Sequence, residues 1–308
     1  MASLPDYDPN ESARYPRASF RNRAVTDQFE AGSTFKLVAA AAALSHRSVS
    51  LQEEFNCGNG SYDFRGHTIE DWEKFGLLTF PQIIQNSSNL GIVKIAEKLG
   101  PRHLYTTGRK FGFGTLSGIT FPGEAKGVFK PTDFWSGISI AEISIGYEVS
   151  TTSLQLALAY GAVANGGFLM KPHIVEKIVH PSGNVSYEAE PTVVRRVASR
   201  EVMAELTGML ELVVSKGTAA RAGLPGWNVA GKTGTAKKFM AGGYSERRFI
   251  ASFAGFFPAN DPQLAGVIIV DEPRDGLHWG SETSAPVFNS VMKRIIQGDN
   301  SILVHKPI

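Results

Sequence analysis

The sequence predicts an α/β protein of the α+β type: an antiparallel sheet covered by helices, with an all-helical lobe inserted at about residues 50–165. Three observations carry this. Strand-like segments lie towards both ends of the chain, strong helical segments fill its middle, and no repeat or low-complexity linker divides the 308 residues. One large domain over 1–298, followed by a tail at 299–308, accommodates that pattern.

The elements follow in order. Residues 2–4 read as a short edge strand before the turn-rich Pro5-Asp6-Tyr7-Asp8-Pro9-Asn10. Polar, Arg-rich chain without regular structure runs to Glu30. From 33 to 46, Ala and Leu surround the helix axis instead of forming one stripe, the pattern of a buried helix. Lys36 is the exception within it. Residues 51–72 are mixed, and Gly58, Gly60 and Gly66 suggest loops and a hairpin. Residues 80–99 read as two helical pieces around Asn86-Ser87-Ser88-Asn89, stopped by Gly100-Pro101. A loop dense in Gly and Pro spans 111–136. Its Gly112, Gly114 and Gly118 lack the spacing and the preceding strand of a nucleotide-binding loop. A helix at 152–164 opens with Thr152 and Gln155 placed as a capping box. Segments 174–180 and 185–187 flank Pro181-Ser182-Gly183-Asn184 as a hairpin. A helix at 201–214, strands at 228–238, 248–257 and 264–271, and an amphipathic helix at 286–297 with Pro286 in its first turn complete the chain.

Composition narrows the function classes. Hydrophobic residues at 43% and charged residues at 19% describe a globular chain rather than a disordered one. A net charge of +2 provides no basic field, so no nucleic-acid partner is expected. Cys57 is the sole cysteine, which rules out an internal disulfide and leaves no thiolate cluster for a metal; it reads as a small buried or loop thiol. No cofactor and no metal are expected. No stretch approaches the roughly 18 apolar residues that span a bilayer, and the start lacks the basic and apolar regions of a signal peptide.

Three short motifs carry chemistry: Ser33-Thr34-Phe35-Lys36, Ser87-Ser88-Asn89 and Lys232-Thr233-Gly234-Thr235. Residues at i and i+3 share a helix face, so Ser33 and Lys36 point the same way. A serine hydroxyl is a poor nucleophile until a base takes its proton. Burial pushes a lysine towards its neutral form, and a neutral lysine is such a base. The helix N-terminus at Ser33 also favours developing negative charge. Ser87 is placed to hydrogen-bond to Lys36 and relay a proton, and Asn89 to hold Lys36 and a substrate amide. Strand alternation puts Lys232 and Gly234 on one face and Thr233 and Thr235 on the other, unless the edge twists. Gly234 lets a ligand backbone approach closely. Each motif alone also has a plain reading: a capping serine with a snorkelling lysine, a polar helix junction, and a Thr- and Gly-containing strand.

In this order the three motifs match the signature of penicillin-binding proteins and serine β-lactamases. Longer stretches resemble class B penicillin-binding proteins of the division type. These are Asn22-Arg23-Ala24-Val25-Thr26 with Phe29-Glu30-Ala31-Gly32-Ser33, Ser144-Ile145-Gly146-Tyr147, Leu154-Gln155-Leu156-Ala157 with Ala164-Asn165-Gly166-Gly167, residues 232–238 and 249–258, and Ala285-Pro286-Val287-Phe288. The resemblance implies the penicillin-binding transpeptidase fold and a serine D,D-transpeptidase. Such an enzyme takes the D-Ala-D-Ala end of peptidoglycan stem peptides, releases D-Ala, cross-links to an acceptor peptide and is covalently inhibited by β-lactam antibiotics.

The roles it implies are specific. Ser33 is the nucleophile and Lys36 its proton acceptor. Ser87 and Asn89 line the cleft, with Ser87 passing the proton to the leaving D-alanine. Lys232 and Thr235, with Thr233 and Gly234 beside them, take the terminal carboxylate, and the backbone N–H groups of Ser33 and Thr235 form the oxyanion hole. Glu148, Ser153 and Lys237 stand where many relatives have glycine, proline and glutamine. Relatives also carry a membrane anchor and a pedestal domain. The expectation is therefore a truncated or unusual form of a membrane-anchored parent, facing the periplasm, with a membrane glycosyltransferase and division proteins as the parent's partners. A serine β-lactamase, a β-lactam sensor or inactive scaffold, and a D,D-carboxypeptidase share the acylation motifs. No motif supplies the extra carboxylate base that a β-lactamase requires.

Overall fold

The computed structural model describes residues 1–298, and the tail expected at 299–308 lies outside the described residues. Residues 2–4 form no edge strand. Ser3 instead spends its hydroxyl on the backbone N–H of Arg23 (3.1 Å), beside Asn22, which caps α1 (Arg23–Thr26). Pro5 then removes a donor that a ladder would need. After β1 (Phe29–Glu30) comes a 3-10 turn, Gly32–Phe35, that runs directly into α2 (Lys36–Ser45). Every residue of α2 from Lys36 to Leu44 is buried, as its all-round apolar surface requires.

The inserted region begins with β2 (Glu54–Asn56), β3 (Ser61–Phe64), β4 (His67–Glu70) and β5 (Leu77–Thr79). The helices α3 (Phe80–Asn86), α4 (Asn89–Leu99), α5 (Pro101–Lys110) and α6 (Ser139–Ile145) follow. It is therefore not all-helical: β2 pairs with β5 and β3 with β4, both antiparallel. Each of these strands buries one apolar side chain, Phe55, Phe64, Ile69 or Leu78. Strands of three or four residues are too short for alternation to stand out in the sequence.

β6 (Ser150–Thr151) pairs with β1, and α7 (Ser153–Ala164) opens with the expected capping box of Thr152 and Gln155. Four short strands form two antiparallel pairs: β7 (Phe168–Met170) with β10 (Val193–Arg196), and β8 (Lys177–Val179) with β9 (Val185–Glu188). The last third supplies α8 (Arg200–Ser215), β11 (Ala230–Met240), β12 (Gly243–Phe257), β13 (Leu264–Asp271) and α9 (Ser284–Gly298). β11, β12 and β13 form a three-stranded antiparallel sheet in sequence order. The N-terminal segment adds no strand to it, contrary to the expected clustering of strands at both ends; β1 pairs with β6 instead.

The sheet is covered on both faces. Phe253 meets Phe288 of α9 with ring centroids 4.6 Å apart. From the opposite face, a Cβ placed on Gly234 would reach Ala31 O and Thr34 Cγ2 at 3.0 Å each, so the turn before α2 lies hard against β11. No helix among the described residues is long and apolar enough to cross a membrane.

Candidate active site

The turn bearing Ser33 is held by backbone contact. Gly32 adopts φ +53° and Gly146 φ +94°, and Gly32 N donates to Gly146 O (3.1 Å). A Cβ on Gly146 would come within 2.0 Å of Gly32 O, so Gly146 accepts no side chain without movement. The fully buried Tyr160 of α7 donates its hydroxyl to Thr34 O (3.1 Å), which fixes the turn from below. Ser33 itself remains partly open to solvent. In a 3-10 turn residues i and i+3 eclipse, so Ser33 sits over the root of Lys36.

Lys36 is wholly buried. Its Nζ donates to Ser87 O (2.6 Å), Asn89 Oδ1 (2.7 Å) and Ser87 Oγ (3.3 Å). Burial lowers its pKa to about 7, opposed by the negative charge of Asp71. The second motif thus folds onto the first. Ser87 ends α3 in a left-handed conformation (φ +59°), and Ser88 caps α4. That reversal turns the Ser87 carbonyl and the Asn89 amide towards the amine.

The third motif lines the same cleft. Lys232 is 1% exposed, and its pKa falls well below the ordinary value, first through burial and then through the neighbouring Lys36 charge. Its Nζ donates to Thr233 O (3.3 Å). Alternation holds as expected: Lys232 and Gly234 face the α2 side, whereas Thr233 and Thr235 face away. Thr233 Oγ1 lies 3.1 Å from Thr218 Oγ1, and Thr235 Oγ1 accepts from Gly280 N (3.1 Å). Thr235 is partly exposed. A Cβ on Gly32 would stand 3.3 Å from Thr235 O, so the Ser33 turn and the Thr235 segment are in contact.

Sequence reading passed over Asp71, Tyr160 and Thr218. Tyr160 carried a signal, because a tyrosine inside an Ala- and Leu-rich helix needs a partner for its buried hydroxyl. Asp71 and Thr218 carried none, since their neighbours in space come from other elements. The three departures noted in the sequence have local explanations. Glu148 adopts φ +55°, a conformation that glycine takes without strain, and its N–H donates to Glu30 Oε1 (2.9 Å). Ser153 is the first residue of α7, where proline is equally accepted. Lys237 pairs with Glu246 on the exposed hairpin (2.7 Å).

The model of the penicillin-binding protein transpeptidase domain matches residues 1–293. The chain belongs to this family. Among its relatives, the stage V sporulation protein D of Bacillus subtilis is 35% identical over 95% of this chain and 46% of its own length. The peptidoglycan D,D-transpeptidase FtsI of Escherichia coli is 32% identical over 97% of this chain and 49% of its own. The chain thus spans about half the length of these curated relatives. The transpeptidase domain of Burkholderia pseudomallei penicillin-binding protein 3 superposes with a TM-score of 0.82 at 36% identity, covering 90% of this chain and 82% of the other. Penicillin-binding protein 3 of Mycobacterium tuberculosis in complex with ampicillin does so at 0.83 and 34%, covering 91% and 64%. The transpeptidase fold expected from the sequence is therefore the fold of the chain.

Proposed function

We propose that this chain is a serine D,D-transpeptidase of peptidoglycan, acylated at Ser33 by the D-Ala-D-Ala end of a stem peptide and, in the same way, by β-lactams. The observation that carries the reading is the enclosed Lys36 amine, with a pKa of about 7, beneath a partly open Ser33. A neutral amine has two N–H donors and one lone pair. The two short bonds, to Ser87 O and Asn89 Oδ1, use both donors and free the lone pair for the Ser33 hydroxyl.

The proton of Ser33 Oγ passes to Lys36 Nζ as Oγ bonds to the penultimate D-Ala carbonyl carbon. The oxyanion is received by the backbone N–H groups of Ser33 and Thr235, each worth about 3 kcal/mol in the transition state. Collapse breaks the C–N bond. Lys36 returns its proton through Ser87 Oγ, at 3.3 Å, to the departing D-Ala nitrogen. An acceptor amine then attacks the ester, forms the cross-linking amide and restores the Ser33 proton. In the third motif the partly exposed Thr235 offers its hydroxyl to the terminal carboxylate, and Lys232, buried on the same strand, supports that end of the site.

The relatives' names support the peptidoglycan substrate, and the ampicillin and aztreonam complexes of the M. tuberculosis neighbour support the β-lactam chemistry. A site of this function works outside the cytoplasm, and a membrane glycosyltransferase and division proteins belong to the same reading. An intact-mass time course with benzylpenicillin, run beside Ser33→Ala, tests it. A stable stoichiometric adduct that is absent from the variant is the expected result. Rapid loss of the adduct with release of hydrolysed drug means a β-lactamase, and an adduct on Ser33→Ala removes the nucleophile assignment. Release of D-Ala from a stem peptide without a cross-linked product means a carboxypeptidase, and an adduct with no D-Ala release at all means a sensor or scaffold.

A further inference from the structure

We propose that Asp71 is a positioning residue for acylation: its carboxylate holds the Ser87–Asn89 turn against Lys36 and sets a negative charge beside that amine. The inference rests on the reading of Lys36 as the base. Asp71 follows β4 and is itself anchored by its N–H on Gly60 O (3.0 Å). Oδ2 accepts the Ser88 hydroxyl (2.6 Å), and Oδ1 accepts the backbone N–H groups of Asn89 and Leu90, the latter at 3.3 Å. Those two N–H groups open α4 and have no partner within the helix, so a carboxylate there satisfies both their hydrogen bonds and the helix dipole.

The neighbouring Glu70 completes the hold. Its carbonyl accepts Asn89 Nδ2 (2.7 Å), which leaves Asn89 Oδ1 turned to Lys36 Nζ. Ser87 sits at φ +59°, a conformation that a serine keeps only where the surroundings over-determine it. The bonds to Asp71 supply that constraint from the next two residues.

The charge acting on Lys36 is that of Asp71; Lys232 of β11, across the cleft, is itself held down by burial and by the Lys36 charge. The Cys57 thiol lies 3.4 Å from Ser88 Oγ, with Lys94 beyond it. Asp71 therefore works in two ways, through geometry and through charge, and the two separate experimentally. Acylation needs the neutral amine, so its rate rises with pH through the Lys36 pKa and then levels off. A negative neighbour raises that pKa, and removing the charge lowers it.

The test is the rate of benzylpenicillin acylation between pH 5 and 9, followed by intact mass, for the parent chain, Asp71→Asn and Asp71→Glu. Melting temperature is measured alongside. In Asp71→Asn the midpoint of the acid limb is expected to move about one unit towards lower pH, the scale of losing a close opposite charge. Its plateau is expected to fall about tenfold or more, as a displaced turn implies. Asp71→Glu keeps the charge in a longer arm, so it is expected to lower the plateau while returning the midpoint to that of the parent. An Asp71→Asn midpoint equal to the parent's reduces Asp71 to a helix cap and overturns the proposal. If Asp71→Asn does not fold, a midpoint displaced in Asp71→Glu does the same. The Lys36 reading fails separately and recognisably, as a folded Lys36→Ala that acylates normally or a parent without an acid limb.

Discussion

Gly146→Ala tests whether the nucleophile is positioned through a backbone contact with α6. The added Cβ would lie 2.0 Å from Gly32 O and 2.6 Å from Gly32 N, on a residue with φ +94°. Holding a non-glycine residue there costs about 1–3 kcal/mol, and overpacking two backbones costs about 1–3 kcal/mol more. At roughly 2 °C per kcal/mol for a chain of this size, the melting temperature should drop by about 4–12 °C. The easiest relief is retreat of the Gly32–Ser33 turn, and a displacement near 1 Å costs about 100-fold in rate. Gly183→Ala separates strain from clash. Its φ is +85°, yet nothing lies within 4 Å of the added Cβ, so it should lose only about 1–3 kcal/mol and acylate normally. The assays are thermal unfolding and the benzylpenicillin acylation rate. A folded Gly146→Ala chain that loses stability but acylates at the parental rate would refute the claim that this contact sets the position of Ser33.

Acylation by the parent chain should fall about tenfold from pH 8 to pH 6, because an amine with a pKa of about 7 is mostly neutral at the first and mostly protonated at the second. A flat profile over that range would remove Lys36 as the base. Lys232→Ala should slow β-lactam acylation chiefly by weakening recognition, seen as a raised half-saturating concentration; unchanged efficiency would count against its supporting role at the carboxylate. Tyr160→Phe leaves the buried Thr34 carbonyl without its donor (3.1 Å) and should cost about 1–3 kcal/mol. An unchanged melting temperature would show that this bond does not hold the turn.

What could be read from the sequence follows from range. Ser33 and Lys36 are three residues apart, so a local helical geometry suffices to bring them together. The capping box of α7 is likewise local, and so is the polar break between α3 and α4. The strands of the sheet showed themselves because each is eight residues or longer. Asp71 was hidden, although it bonds to Ser88 and Asn89 of the second motif and to Leu90 beyond them, because the pairing joins segments 17–19 positions apart. The small strands of the lobe were hidden for the opposite reason: they are local but too short to display a period. Residues 2–4 looked like a strand because propensity does not reveal that Ser3 has a better partner in the turn at Arg23.

β11 lies at the edge of its sheet, and this has a cost in the unfolded and crowded states as well as a use in the folded one. Apart from Lys237 N–H, which donates to the Tyr147 hydroxyl (3.3 Å), and Thr235 O beside the Gly32 turn, its outward N–H and C=O groups are a template for an added extended chain, including another copy of the same strand. The sequence blunts that hazard where the strand leaves the protein body. Lys237 and Lys238 carry paired charges onto the hairpin, and a ladder of like strands stacked there would bring lysine against lysine. The edge strand that carries the third motif therefore discourages growth of a fibre beyond the hairpin through its own charges.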